Sequence, residues 1–187
     1  MAPYRQGDLD GLCGIYSVVN ALNHLFAIRP APGFSQHMFE TVARAIPSKF
    51  YPDVLWDGMD VDLLTRIAKR AAATLKDEID FDIKVATPFS RRRFKSRDDY
   101  LDAVEHELNK SFSVFIVFVD WPKRQGGGSH WTVLKKVCPD YLTLFDSSGQ
   151  RKLALARLGL GDGPGTRLHP KHTVMLTLTA MGGEALA

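Results

Sequence analysis

"GLCGIYSVVNALNHLFAI", residues 11–28, decides how the chain begins to fold. Ile15, Val18, Val19, Leu22, Leu25 and Phe26 recur at helical spacing, and Pro30 and Pro32 end the pattern. The spacing predicts a helix over residues 12–28 with one buried face. Cys13 stands in its first turn. A buried cysteine usually acts as a small hydrophobe whose exact place matters little. One at a helix N-terminus meets unpaired N–H groups and the positive end of the dipole, which favour the nucleophilic thiolate.

Downstream, residues 35–46 read as a second helix with Phe39, Val42, Ala43 and Ile46 facing inward. "PSKFYPDVLWDG" (47–58) is aromatic and proline-rich, an irregular loop with an open question of whether it covers a cleft. "MDVDLLTRIAKRAAATLKD" (59–77) is helical, with its apolar face at Leu63, Leu64, Ile67 and Ala71. "IDFDIKV" (79–85) alternates as a strand does. After the basic stretch "SRRRFKSR" (90–97), Ser96 can cap a helix over 97–110 whose apolar positions are Leu101, Val104 and Leu108.

The second half changes character. "FSVFIVFV" (112–119) is continuously apolar and suits a central strand. "HWTVLKKV" (130–137) and "YLTLFD" (141–146) are strands at hairpin spacing, and "HTVMLTLTA" (172–180) is a last strand after the flexible turn "GLGDGPG" (159–165). A helix-rich part (1–110) precedes a sheet-rich part (111–180), without regular βαβ alternation. The expected fold is α+β in one domain over 1–187, helices packed on an antiparallel sheet.

Composition agrees. Of 187 residues, 45% are hydrophobic and 24% charged, ordinary for a globular domain. A chain of this length buries roughly 70% of its unfolded surface, so it folds without staples or metals. Its two cysteines, Cys13 and Cys138, form no CxxC or zinc-spaced cluster, and chemistry at a thiol needs neither a metal nor an organic cofactor. No run of about 18 apolar residues suggests a membrane span. "MAPYRQGDLDG" lacks the apolar core of a signal peptide, so the expected home is the cytoplasm, with export by a signal-less route left open. A net charge of +3 does not argue for nucleic acid.

A cysteine nucleophile needs a general base, and the base needs an orienter. His130 follows "GGGS" and begins a strand, while Asp146 ends the returning one. If the two strands pair around a turn near Pro139, His130 and Asp146 emerge at the same end of the hairpin. The Cys13 N–H and the side-chain amide of Gln6 are candidate donors to an oxyanion, and Gly11 and Gly14 keep the approach to the sulfur open.

Gln6, "GLCGIY" opening a helix, "SHWTVL" and "LFDSSG" together resemble the papain-like cysteine peptidase superfamily. "DGLCGIYSVVNAL" is most similar to the bacteriocin-processing peptidases, and the aspartate-glycine pair before the thiol bears a lesser resemblance to ovarian-tumour-type deubiquitinases. The resemblance implies a nucleophile on a central helix packed against a sheet. It gives Cys13, His130 and Asp146 the catalytic roles and Gln6 the oxyanion hole. It also implies hydrolysis of an amide through an acyl-thioester, with a protein or peptide substrate such as a Gly-Gly-containing or ubiquitin-like chain. Glutamine deamidation or acyl transfer of the transglutaminase kind uses the same triad. A binding module with an unused thiol is the non-enzymatic alternative.

Blander roles stand beside these. Cys13 could be a core thiol, and Asp146 could simply open the "DSSG" turn, leaving Asp120 or Asp140 as orienter. Cys138 reads as a bystander. Asp8 and Asp10 suit capping or solvation of their loop, or repulsion of acidic substrates. Trp131 fits core or pocket wall, whereas Trp56 and Trp121 fall in loops where aromatics line grooves. The basic stretch is either a solvated loop or a docking point for an acidic partner.

Overall fold

The computed structural model describes residues 3–6, 11–26, 34–76, 78, 81–122 and 128–180. Among the described residues five α-helices, α1 (Cys13–Phe26), α2 (Phe34–Arg44), α3 (Val54–Asp57), α4 (Val61–Lys76) and α5 (Arg97–Lys110), accompany seven strands. These are β1 (Phe81–Ala86), β2 (Ser113–Trp121), β3 (Gly128–Val137), β4 (Tyr141–Phe145), β5 (Lys152–Ala154), β6 (Leu158–Leu160) and β7 (Thr166–Ala180). The strand order is β1-β7-β2-β3-β4-β5, antiparallel throughout, with short β6 pairing parallel to the first residues of β7. The molecule is therefore α+β, with helices packed against a mainly antiparallel sheet.

β2 explains the layering. Its side chains alternate between two cores, as the pleat requires. Val114 and Ile116 join Val18, Leu22, Leu64 and Ile67 on one face, while Phe115, Val117 and Val119 join Tyr100, Leu101 and Val104 on the other. A strand covered on both faces has no reason to alternate polar with apolar, hence "FSVFIVFV". α1, α2 and α4 thus share one face and α5 covers the other. Each fully buried aliphatic side chain contributes about 1.5–3 kcal/mol, so α1, with Ile15, Val18, Val19 and Leu22 at 1% exposure or less, is anchored by its apolar face rather than by propensity.

Several local readings of the sequence hold. Ser96 accepts a hydrogen bond from the Asp99 N–H, and α5 spans 97–110. α2 buries Met38 and Val42, whereas Phe39 and Ala43 are only half-buried. The loop at 47–58 contains a 3-10 turn (Ser48–Phe50) and α3. Trp121 closes β2 instead of lying in a loop. The last strand starts at Thr166, six residues before the apolar alternation that marks it in sequence, because a bulge interrupts it. Phe118 alone on β2 faces His169–His172 on β7, between the pairs Val117–Thr173 and Val119–Leu168. "GLGDGPG" begins within β6. Asp8 and Asp10, and all but the end of "GGGS", lie outside the described residues. Among the described residues no helix is long and apolar enough to cross a membrane.

Candidate active site

The β3–β4 hairpin turns at Pro139, where the Cys138 N–H donates to the Tyr141 carbonyl (2.9 Å). Its register pairs Val133 with Phe145. Continued by one residue, that register sets Asp146 opposite Thr132, with His130 its diagonal neighbour on the same face, a reach of about 7–8 Å between α-carbons. The side chains close the gap. His130 Nε2 donates to Asp146 Oδ1 at 2.7 Å. Cys138, at the turn end of the hairpin, faces Thr143 and stays away from this pair.

α1 is held so that its first residue meets the histidine. Ser17 Oγ donates to the Trp131 carbonyl at 2.8 Å, a buried bond between the helix and the residue after His130. Cys13 lies four residues earlier, on the same helix face, one turn nearer the N-terminus. Cys13 is near enough to the His130 ring to act on its charge. Because Nε2 is engaged by Asp146, Nδ1 is the ring nitrogen left for the sulfur. Cys13, His130 and Asp146 thus come together in that order.

Asp146 meets His130 and opens a turn at once. Oδ1 takes the histidine, while Oδ2 accepts from the Ser148 N–H (2.9 Å), the Ser148 hydroxyl (2.5 Å) and the Gln150 N–H (3.1 Å), capping the "DSSG" turn. Asp120 is occupied elsewhere, accepting from His169 Nε2. Asp140 sits at the far end of the hairpin and accepts the Leu155 N–H through its backbone carbonyl.

Electrostatics reflect this packing. Burial would push the His130 pKa down, but the Asp146 hydrogen bond, then the neighbouring Cys13 sulfur and the charges of both, raise it from 6.5 to about 9. Burial would raise Asp146, yet the hydrogen bonds from His130 and Ser148 and the imidazolium charge bring it from 3.8 to about 2. Between those limits the pair is charged on both sides.

Gln6 is also brought here. Its backbone N–H donates to the carbonyl of Ser147, the neighbour of Asp146, at 3.1 Å. The segment before it is strapped to α1 by buried Asn20, whose Oδ1 accepts the Tyr4 N–H (2.8 Å) while Nδ2 donates to the Tyr4 carbonyl (3.3 Å). The other wall is the 51–60 stretch. The Gly11 N–H donates to the Leu55 carbonyl (2.6 Å), and the Trp131 indole N–H donates to the Met59 carbonyl (2.9 Å). A Cβ on Gly14 would stand 2.5 Å from Met59 Sδ, and one on Gly11 would stand 2.8 Å from the Trp56 carbonyl oxygen. The stretch is docked on the turn that carries Cys13. Trp131, only 1% exposed, is core. Trp56 projects outward.

The motifs alone do not point to Ser17 and Asn20. The signal that could have found them is the set of polar side chains, Ser17, Asn20 and Asn23, buried on a mostly apolar helix. Among the described residues no group of three or more His, Cys, Asp or Glu side chains could hold a metal ion. Compared with protein-family models and with curated proteins, the chain matches none. Geometry alone carries the functional reading.

Proposed function

We propose that the protein is a cysteine peptidase or isopeptidase with a papain-like fold and a Cys13-His130-Asp146 triad. The observation that carries this reading is the chain of contacts from Asp146 through His130 to Cys13 at the first turn of α1. A buried carboxylate holding the base, the base facing a sulfur, and the sulfur at a helix N-terminus are what thiol catalysis requires.

In this reading the Cys13 thiolate attacks the carbonyl carbon of an amide. Negative charge moves to the carbonyl oxygen, where the Cys13 N–H and the Gln6 side-chain amide receive it. The C–N bond breaks, the amine leaves with a proton from His130, and an acyl-thioester remains on Cys13. Water then attacks the thioester while His130 takes its proton. The acid departs and the thiolate–imidazolium pair is restored. Asp146 stabilises the imidazolium throughout and keeps Nδ1 aimed at the sulfur. The substrate class is protein or peptide, and neither membrane nor nucleic acid enters the reading.

Incubation with a peptide pool, followed by mass spectrometry of the products, tests it. New C-termini that appear with the wild type and vanish with Cys13→Ala, folded to the same extent, support hydrolysis. Products coupled to an added amine, or glutamine converted to glutamate, would move the protein to the transferase or deamidase reading. No product of any kind from the wild type would leave a binding module.

A further inference from the structure

The bulge that delays β7 builds a second feature beside the triad. His169 and His172 stack on each other (ring centroids 5.5 Å, 16° between planes), and both meet the edge of Phe118. Phe118 packs in turn on Trp131, 4.8 Å between centroids. His169 and His172 form one wall of a groove of about 540 Å³, completed by Arg92, Arg93, Lys171 and Asp162.

Three permanent cations and one carboxylate, Asp162, line the groove, while Asp120 and Asp60 lie behind it, near enough for their charges to reach His172. Arg92 is partly committed, its guanidinium 3.5 Å from Asp99 and lying over Phe94. Among the described residues Arg93 and Lys171 have no carboxylate partner. Asp120 is already engaged, accepting from His169 at 2.5 Å. His172 is held below its ordinary pKa, by burial first and His169 second, and adds a neutral ring.

Placement relates the groove to Cys13. His130 stands on β3 and the bulge on β7, with β2 between them, at the same end of the sheet. Two strand spacings are about 10 Å, the length of about three extended residues. His172 also lies close enough to Asp60 to feel its charge, and Asp60 follows Met59, which covers Gly14 beside the nucleophile.

We propose that this groove is a specificity subsite that takes an acidic side chain of the peptide, about three residues from the bond Cys13 attacks. The proposal rests on the peptidase reading for its substrate, and its test separates the two. Full-length Cys13→Ala protein is immobilised and offered a randomised peptide pool mixed with a matched pool carrying glutamine wherever the first has glutamate. Retained peptides are identified by mass spectrometry. The expected result is about tenfold enrichment of glutamate-bearing peptides at low salt, shrinking at high salt. Adding Arg93→Glu and Lys171→Glu, both at exposed positions, abolishes the enrichment. In the protein with Cys13 intact, the same two substitutions leave its iodoacetamide labelling rate within about twofold, since a small neutral reagent does not use the groove. Equal recovery of the two pools, or enrichment that survives the charge reversal, overturns the subsite. Enrichment without cleavage by the wild type keeps the subsite and sinks the peptidase; cleavage without charge preference does the reverse.

Discussion

Replacing Asp146 with asparagine keeps its size and removes its charge, and the surrounding hydrogen bonds dictate how the new amide must sit. Three donors, the Ser148 N–H, the Ser148 hydroxyl and the Gln150 N–H, converge on Oδ2. The two backbone donors cannot turn away, so the oxygen of the introduced amide must serve the turn and its NH₂ must face His130. His130 then has to accept at Nε2 and carry its proton on Nδ1, pointed at Cys13. The wrong tautomer leaves the ring with no acceptor facing the sulfur. The raised His130 pKa, 6.5 to about 9, corresponds to about 3 kcal/mol in favour of the charged ring. That stabilisation is fully present below pH 6.5 and fades as pH rises through 9; the matching share of Asp146 is present above 3.8 and fades as pH falls through 2. Both shifts describe one pair and are counted once. The Asp146→Asn variant should therefore be less stable by about 2–3 kcal/mol at pH 7, by most between pH 4 and 6.5, and by much less above pH 9. Urea denaturation of both proteins at pH 5.5, 7 and 9.5 measures this. A difference that does not change with pH, or one below about 0.5 kcal/mol at pH 5.5, would refute the charged pair.

Three further substitutions probe the supports of the site. Asn20→Ala removes both bonds to Tyr4 and should cost about 1–3 kcal/mol, with loss of hydrogen-exchange protection at the Tyr4 amide. Gly11→Ala sets a Cβ against the backbone of Trp56 and Gly58, which cannot yield as a side chain would, and should cost about 1–3 kcal/mol in chemical denaturation. Ser17→Ala cuts the buried bond to the Trp131 carbonyl and should cost about 1 kcal/mol while slowing labelling of Cys13, read by timed alkylation.

How much of the fold and site is legible in the sequence depends on whether the deciding contacts are local. α5 shows its cap in the residue just before it and its apolar positions within its own fourteen residues, so its start can be read. His130 and Asp146 can be paired because a tight hairpin fixes its own register by its length. Which face of the sheet each helix covers is harder. The run "FSVFIVFV" implies cover on both faces, but nothing local assigns α5 to one side and α1, α2 and α4 to the other. The first half of β7 is hidden because His169, Pro170 and Lys171 break the alternation that marks a strand, and the bulge that accommodates them depends on β2. Short β6 exists only by pairing with β7. Gln6 is expected near the thiol from its place in the motif, yet its tie to Ser147 and the Asn20 strap join residues far apart in the chain. The Met59 and Leu55 contacts, which dock the 51–60 stretch on the turn carrying Cys13, rest on backbone carbonyls that leave no trace in residue type.

The most direct test of the proposed nucleophile is the alkylation rate of Cys13 as a function of pH, mapped by peptide analysis apart from Cys138, in the wild type and in His130→Ala. A thiolate held by the His130 imidazolium predicts fast labelling that persists well below pH 7 and collapses in the variant. Labelling that follows an ordinary thiol, with a midpoint of about 8.5 and no dependence on His130, would contradict it.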